Sequence, residues 1–89
     1  MTDIDLTKLA CVAFGNPPEG FSPLTDDGDA LRLAVKLRLT VDIGAEYVGG
    51  VWIDKNDQLD RITELIMYDP YAATRRAIVR VAASIGETK

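Results

Sequence analysis

Apolar and polar positions change their period along the chain, and the changes divide it into elements. In residues 3–14, Leu6, Leu9, Val12 and Ala13 recur at spacings of three and four, which predicts a short amphipathic helix stopped by Gly15. Two prolines and a glycine then defeat both helix and ladder over 16–20, so this stretch reads as a loop, with Phe21 and Leu24 returning to the core. A second helix starts at Thr25 or Asp26, either of which can cap free backbone N–H groups. Asp26, Asp27 and Asp29 fall where the positive end of the helix dipole favours acids. Its buried stripe is read as Ala30, Leu31, Ala34 and Leu37, with Arg32 and Lys36 one turn apart on the opposite face.

From Thr40 the period becomes two. Val41, Ile43, Ala45 and Tyr47 alternate with Thr40, Asp42, Gly44 and Glu46, as a half-buried strand requires. Gly49-Gly50 is expected to turn the chain into a second strand beginning at Val51. A two-residue Gly-Gly loop would put Trp52 on the face of Tyr47; a three-residue loop through Val48, favoured because it unites the apolar row, would join Val51 and Ile53 with Tyr47 and leave Trp52 on the other sheet face, beside Glu46. Residues 54–57 read as the next turn. Residues 59–68 fit either a helical stripe or a third strand at 62–67, and the strand is favoured because a lone hairpin is marginal in water. In the last helix Asp69 caps and Pro70 takes the first position. Tyr71, Thr74, Ile78, Val81, Ala82 and Ile85 are expected to be buried, Gly86 to end the helix, and Arg76 and Arg80 to point outward, with Arg75 at the boundary.

The sum is a single α+β domain over 1–89: a short N-terminal helix, then α-β-β-β-α, with a small antiparallel sheet covered on one face by two helices. Over residues 26–86 this order resembles the double-stranded-RNA-binding domain. The resemblance implies a positive strip formed by Arg32, Lys36, Arg76 and Arg80. Those domains carry a lysine cluster at the start of the last helix, where this chain has Asp69-Pro70-Tyr71-Ala72-Ala73, so the main phosphate clamp is missing.

Charge refines the picture. Ten basic and fourteen acidic residues leave a net charge of −4, which argues against general adhesion to nucleic acid. The bases concentrate in 30–38 and 70–89, however, and a local basic face can still hold phosphate. With no histidine, the usual general base and zinc ligand are both absent. Cys11 is the one cysteine; it has no histidine to activate it and reads as a core or half-buried residue. Asp26-Asp27-Gly28-Asp29 is better explained by helix capping than by a cation site. Asp54, Asn56 and Gln58 take the first, third and fifth places of a calcium loop, but Leu59 and Leu65 occupy the positions that need glycine and glutamate. No apolar run approaches the roughly 20 residues that span a bilayer, and residues 1–7 lack a basic n-region. These features predict a cytoplasmic, non-enzymatic protein with no cofactor and no membrane partner.

Two stretches, SPLTDDGDALRLAVKL at 22–37 and DPYAATRRAIVR at 69–80, resemble small uncharacterised proteins of bacteriophages and prophages. Phe21 stands where that pattern has tryptophan. The resemblance implies a bacterial host cytoplasm and no assigned chemistry. The function expected is accessory: binding a macromolecule, first of all another protein, through a sheet edge or through Trp52 with Glu46. Homodimerisation fits so small a core. The alternative is a nucleic-acid-binding module using Arg32, Lys36, Arg76 and Arg80.

Overall fold

Side-chain caps set where each helix begins. Thr2 and Asp5 form a reciprocal capping box at the start of α1 (Asp3–Phe14), and Gly15 closes that helix at φ 100°. Asp26 accepts the Asp29 N–H at 2.8 Å and starts α2 (Asp27–Leu37). Asp69 accepts the Tyr71 N–H at 2.9 Å ahead of Pro70 and α3 (Pro70–Glu87). Helix α2 ends on Arg38 in the left-handed region (φ 56°), with Arg38 N–H on Val35 C=O at 3.2 Å and Leu39 N–H on Ala34 C=O at 2.9 Å. This is the Schellman closure, formed here without glycine.

The structure, a computed structural model, describes residues 1–53 and 59–88, with side chains described for 1–50 and 61–88. Between α2 and α3 lie β1 (Thr40–Ile43), β2 (Tyr47–Ile53) and β3 (Leu59–Leu65), joined as an antiparallel sheet in the order β1-β2-β3. The fold is α+β, with a short N-terminal helix ahead of α-β-β-β-α. Residues 59–65 take the strand form of the two open alternatives, three residues earlier than expected at the start. The expected turn at 54–57 falls outside the described residues.

The hairpin register differs from the expectation. The chain turns at Gly44-Ala45-Glu46, while Gly49 and Gly50 lie inside β2 opposite Asp42 and Val41. A glycine pair is a turn signal, but it equally marks places where another group comes down on the backbone. Gly50 is of the second kind. A Cβ at Gly50 would meet Val81 Cγ2 at 2.7 Å and the Ala77 carbonyl oxygen at 3.3 Å, so its absence lets α3 settle on the sheet. On the opposite face the Arg61 guanidinium lies over Gly49, 3.3 Å from where a Cβ would stand.

Helix α3 is the centre of the molecule. It carries Ile78, Val79, Val81, Ala82, Ala83 and Ile85 into a core shared with Leu6, Ala10 and Ala13 of α1 and Ala30, Leu33 and Ala34 of α2. Its Ala73 and Ala77 pack on Val48 of β2. Small residues on this stripe allow close approach on two sides. Gly86 is one of them: α3 runs past it to Glu87, contrary to the expectation that it ends the helix. A Cβ there would fall 2.0 Å from the Leu9 carbonyl oxygen, so Gly86 serves the α1–α3 contact. Three further expectations fail on exposure. The helical period places Val12, Leu31 and Tyr71 on buried stripes, yet they are 50%, 63% and 68% exposed; Ala10, Leu33 and Ala73 are buried instead.

Candidate functional site

The two exposed residues on α2 and α3 border the same feature. An open cleft of about 540 Å³ separates α2 from β1 and runs to the start of α3. Ala30, Leu31 and Ala34 form one wall, Val41 and Ile43 the other, and Pro70, Tyr71, Thr74 and Ile78 the floor and end. It exists because α3 lies over β2 and β3 while α2 is packed on α3, so the helix-facing side of β1 is left partly uncovered. Ile43 is 61% exposed although it points to the helical layer. A volume of this size is in the ordinary range for ligand pockets, and a lining this apolar is unusual for water-exposed surface.

The charged groups that line the cleft are Asp27 and Arg75, and they neutralise each other. Arg75 Nη1 lies 2.6 Å from Asp27 Oδ1, and its Nε donates to the Leu24 carbonyl at 2.9 Å. Arg75 is thus committed to tying the 16–24 loop to α3, and the boundary position expected for it is where it sits.

The four basic residues of the expected strip are placed apart from the cleft, and each has a partner. Arg32 donates to Asp29 at 2.9 Å. Lys36 Nζ stands 5.8 Å above the ring of Phe14, which in turn packs on Phe21 with centroids 5.0 Å apart. Arg76 bonds Asp3 at 2.9 Å and lies 3.8 Å from Glu64, which also takes the Arg80 guanidinium. Arg32 and Lys36 therefore face the α1 side and solvent, while Arg76 and Arg80 are drawn toward α1 and β3. The arrangement is two separate groups in which the three arginines meet carboxylates and Lys36 meets an aromatic ring.

Glu46 is exposed in the β1–β2 turn, where its carbonyl accepts the Ile66 N–H at 2.8 Å. Trp52 pairs with Asp60 at the far end of β2, so the two candidate residues stand at opposite ends of one strand; the Trp52 side chain falls outside the described residues. Among the acids first weighed for a cation, Asp26 caps α2, Asp27 holds Arg75, and Asp29 accepts the Ser22 N–H at 2.9 Å beside Arg32. The Asp54, Asn56, Gln58 set lies outside the described residues. Burial pushes the Cys11 thiol up from its ordinary pKa, away from thiolate chemistry. No helix among the described residues is long and apolar enough to cross a membrane.

No family model, curated protein or solved structure matches the chain. The cleft must be interpreted from its own chemistry.

One signal for the cleft was present in the sequence. Helix α2 carries apolar residues at 30, 31, 33, 34, 35 and 37, more than one buried stripe can use. The surplus, Leu31 and Val35 one turn apart, is what stands exposed, at 63% and 68%.

Proposed function

We propose that this protein is a non-enzymatic binding module that receives an apolar segment of another protein in the cleft between α2 and β1. A bacteriophage or prophage accessory role belongs to the same reading and rests on the two sequence stretches alone. The observation that carries it is the convergence of Leu31, Ile43 and Tyr71, each more than half exposed, on a cleft whose charges are already paired. Large apolar side chains cost free energy in water, and grouped around a concavity they are the usual anchors of protein recognition. Nucleic acid fits this surface poorly, since phosphate binding needs unbalanced cations and Arg32, Arg76 and Arg80 each hold a carboxylate.

A photo-reactive benzoylphenylalanine introduced at position 31, and separately at position 32 on the outer face of α2, tests the proposal in host cells. One adduct protein is expected from position 31 and none from 32. The purified adduct partner should then lose about tenfold or more in affinity for a Tyr71→Glu variant and keep its affinity for Arg32→Glu. Equal labelling at both positions, or a partner indifferent to Tyr71→Glu, would overturn the reading.

A further inference from the structure

The register shows which backbone groups of β1 face outward. Gly44 N–H donates to Tyr47 C=O at 2.9 Å, and the pairs Asp42↔Gly49 and Thr40↔Val51 follow at steps of two. In an antiparallel ladder hydrogen-bonded and non-bonded pairs alternate, so Thr40 and Asp42 bond to β2 while Val41 and Ile43 turn their N–H and C=O groups away from it. Among the described residues none bonds to those outward groups. The opposite margin is treated differently. Ile66 N–H on Glu46 C=O fixes the β2–β3 alternation and leaves Thr63 facing outward, and the Thr63 carbonyl receives Arg80 Nη1 at 3.4 Å. A bare edge is a template for another strand, and proteins ordinarily obstruct it. Among the described residues one side chain bonds to the β3 margin and none to the outward groups of β1.

We infer that the β1 edge takes up, as a fourth strand, an extended segment of a different protein that is apolar at alternate positions with a basic residue between them. The inference rests on the cleft being a protein-binding surface and specifies what enters it. Residues placed opposite Val41 and Ile43 would bond their outward groups and send side chains into the cleft, toward Leu31. The residue opposite Asp42 would lie on the other sheet face beside an exposed carboxylate, where a lysine or arginine is favoured. The same carboxylate disfavours a second copy. Two β1 strands paired so that all the outward groups of Val41 and Ile43 are used would set Asp42 directly against the second copy's Asp42, at the close spacing of about 4.5 Å typical of a non-bonded pair.

The test is an NMR titration of the isotopically labelled protein with short blocked peptides. In the first, valine alternates with lysine; in the second, glutamate replaces lysine; in the third, the valine amides of the first are N-methylated. The lysine peptide is expected to shift the amides of residues 40–44 at roughly millimolar concentration, with the glutamate and N-methyl peptides about tenfold weaker. In Asp42→Lys the order of lysine and glutamate peptides should reverse. No shift with the lysine peptide, or equal binding of the lysine and glutamate peptides, overturns the inference. So do β1 shifts that grow with protein concentration alone, which would make a second copy the occupant. If the N-methyl peptide binds as well as its parent and Leu31→Glu abolishes both, strand addition falls and the cleft reading stands. If Leu31→Glu changes nothing while N-methylation abolishes binding, the cleft reading is what fails.

Discussion

Gly86 and Leu9 touch through their backbones: a Cβ on Gly86 would sit 2.0 Å from the Leu9 carbonyl oxygen. Replacing a helical glycine with alanine ordinarily gains up to about 1 kcal/mol in propensity, less in a last turn such as this. Here the contact reverses the sign, because neither helix backbone can yield locally and α1 must move off α3. Gly86→Ala is expected to destabilise the protein by about 2 kcal/mol or more net, read as a lowered urea midpoint. A variant as stable as the parent would show that α1 does not pack there.

The assignment of faces on α2 is open to an equally direct check. Leu33 is fully buried against α3 and α1, whereas Leu31 is largely exposed at the cleft. Leu33→Ala should cost about 2–4 kcal/mol through lost burial and the cavity left behind. Leu31→Ala should stay within about 0.5 kcal/mol. Thermal or denaturant unfolding of the pair separates the two faces, and comparable losses at both positions would return Leu31 to the core.

The capping box gives a pH prediction. Asp5 is held below its ordinary carboxyl range, first by the Thr2 backbone N–H and second by the Thr2 hydroxyl. A carboxyl lowered in the folded state supports that state above its unfolded pKa of about 3.9 and loses its contribution as pH falls through the lowered value. The first turn of α1 should therefore stay formed at neutral pH and fray only in acid beyond the usual aspartate titration. Carboxyl and Thr2 amide shifts followed together by NMR would report one midpoint below 3.9. An Asp5 titrating at or above the usual value would contradict the box.

Polar punctuation was the legible part of the sequence. Asp26 and the Asp69-Pro70 pair begin their helices where capping chemistry places them, and the Thr40 change of period marks the first strand. Glycine was the illegible part. Gly49-Gly50 reads as a turn and Gly86 as a helix stop, because one chain cannot show whether glycine serves a positive φ or the approach of a distant segment. Gly50 and Gly86 serve approach, to α3 and Leu9, and Gly49 lies in the strand beneath the Arg61 guanidinium. The cleft escaped for a related reason: with six apolar positions on an eleven-residue helix, periodicity alone does not choose between Leu31 and Leu33. Arg32 finds its carboxylate locally, in Asp29, but those of Arg76 and Arg80 come from α1 and β3, at sequence separations no local pattern reports.

The unequal margins of the sheet bear on the kind of assembly this chain can join. Arg80 sits on the Thr63 carbonyl at one side, and among the described residues nothing sits on the outward groups of Val41 and Ile43 at the other. If strand addition is how this molecule binds, the β1 margin would admit one strand per molecule.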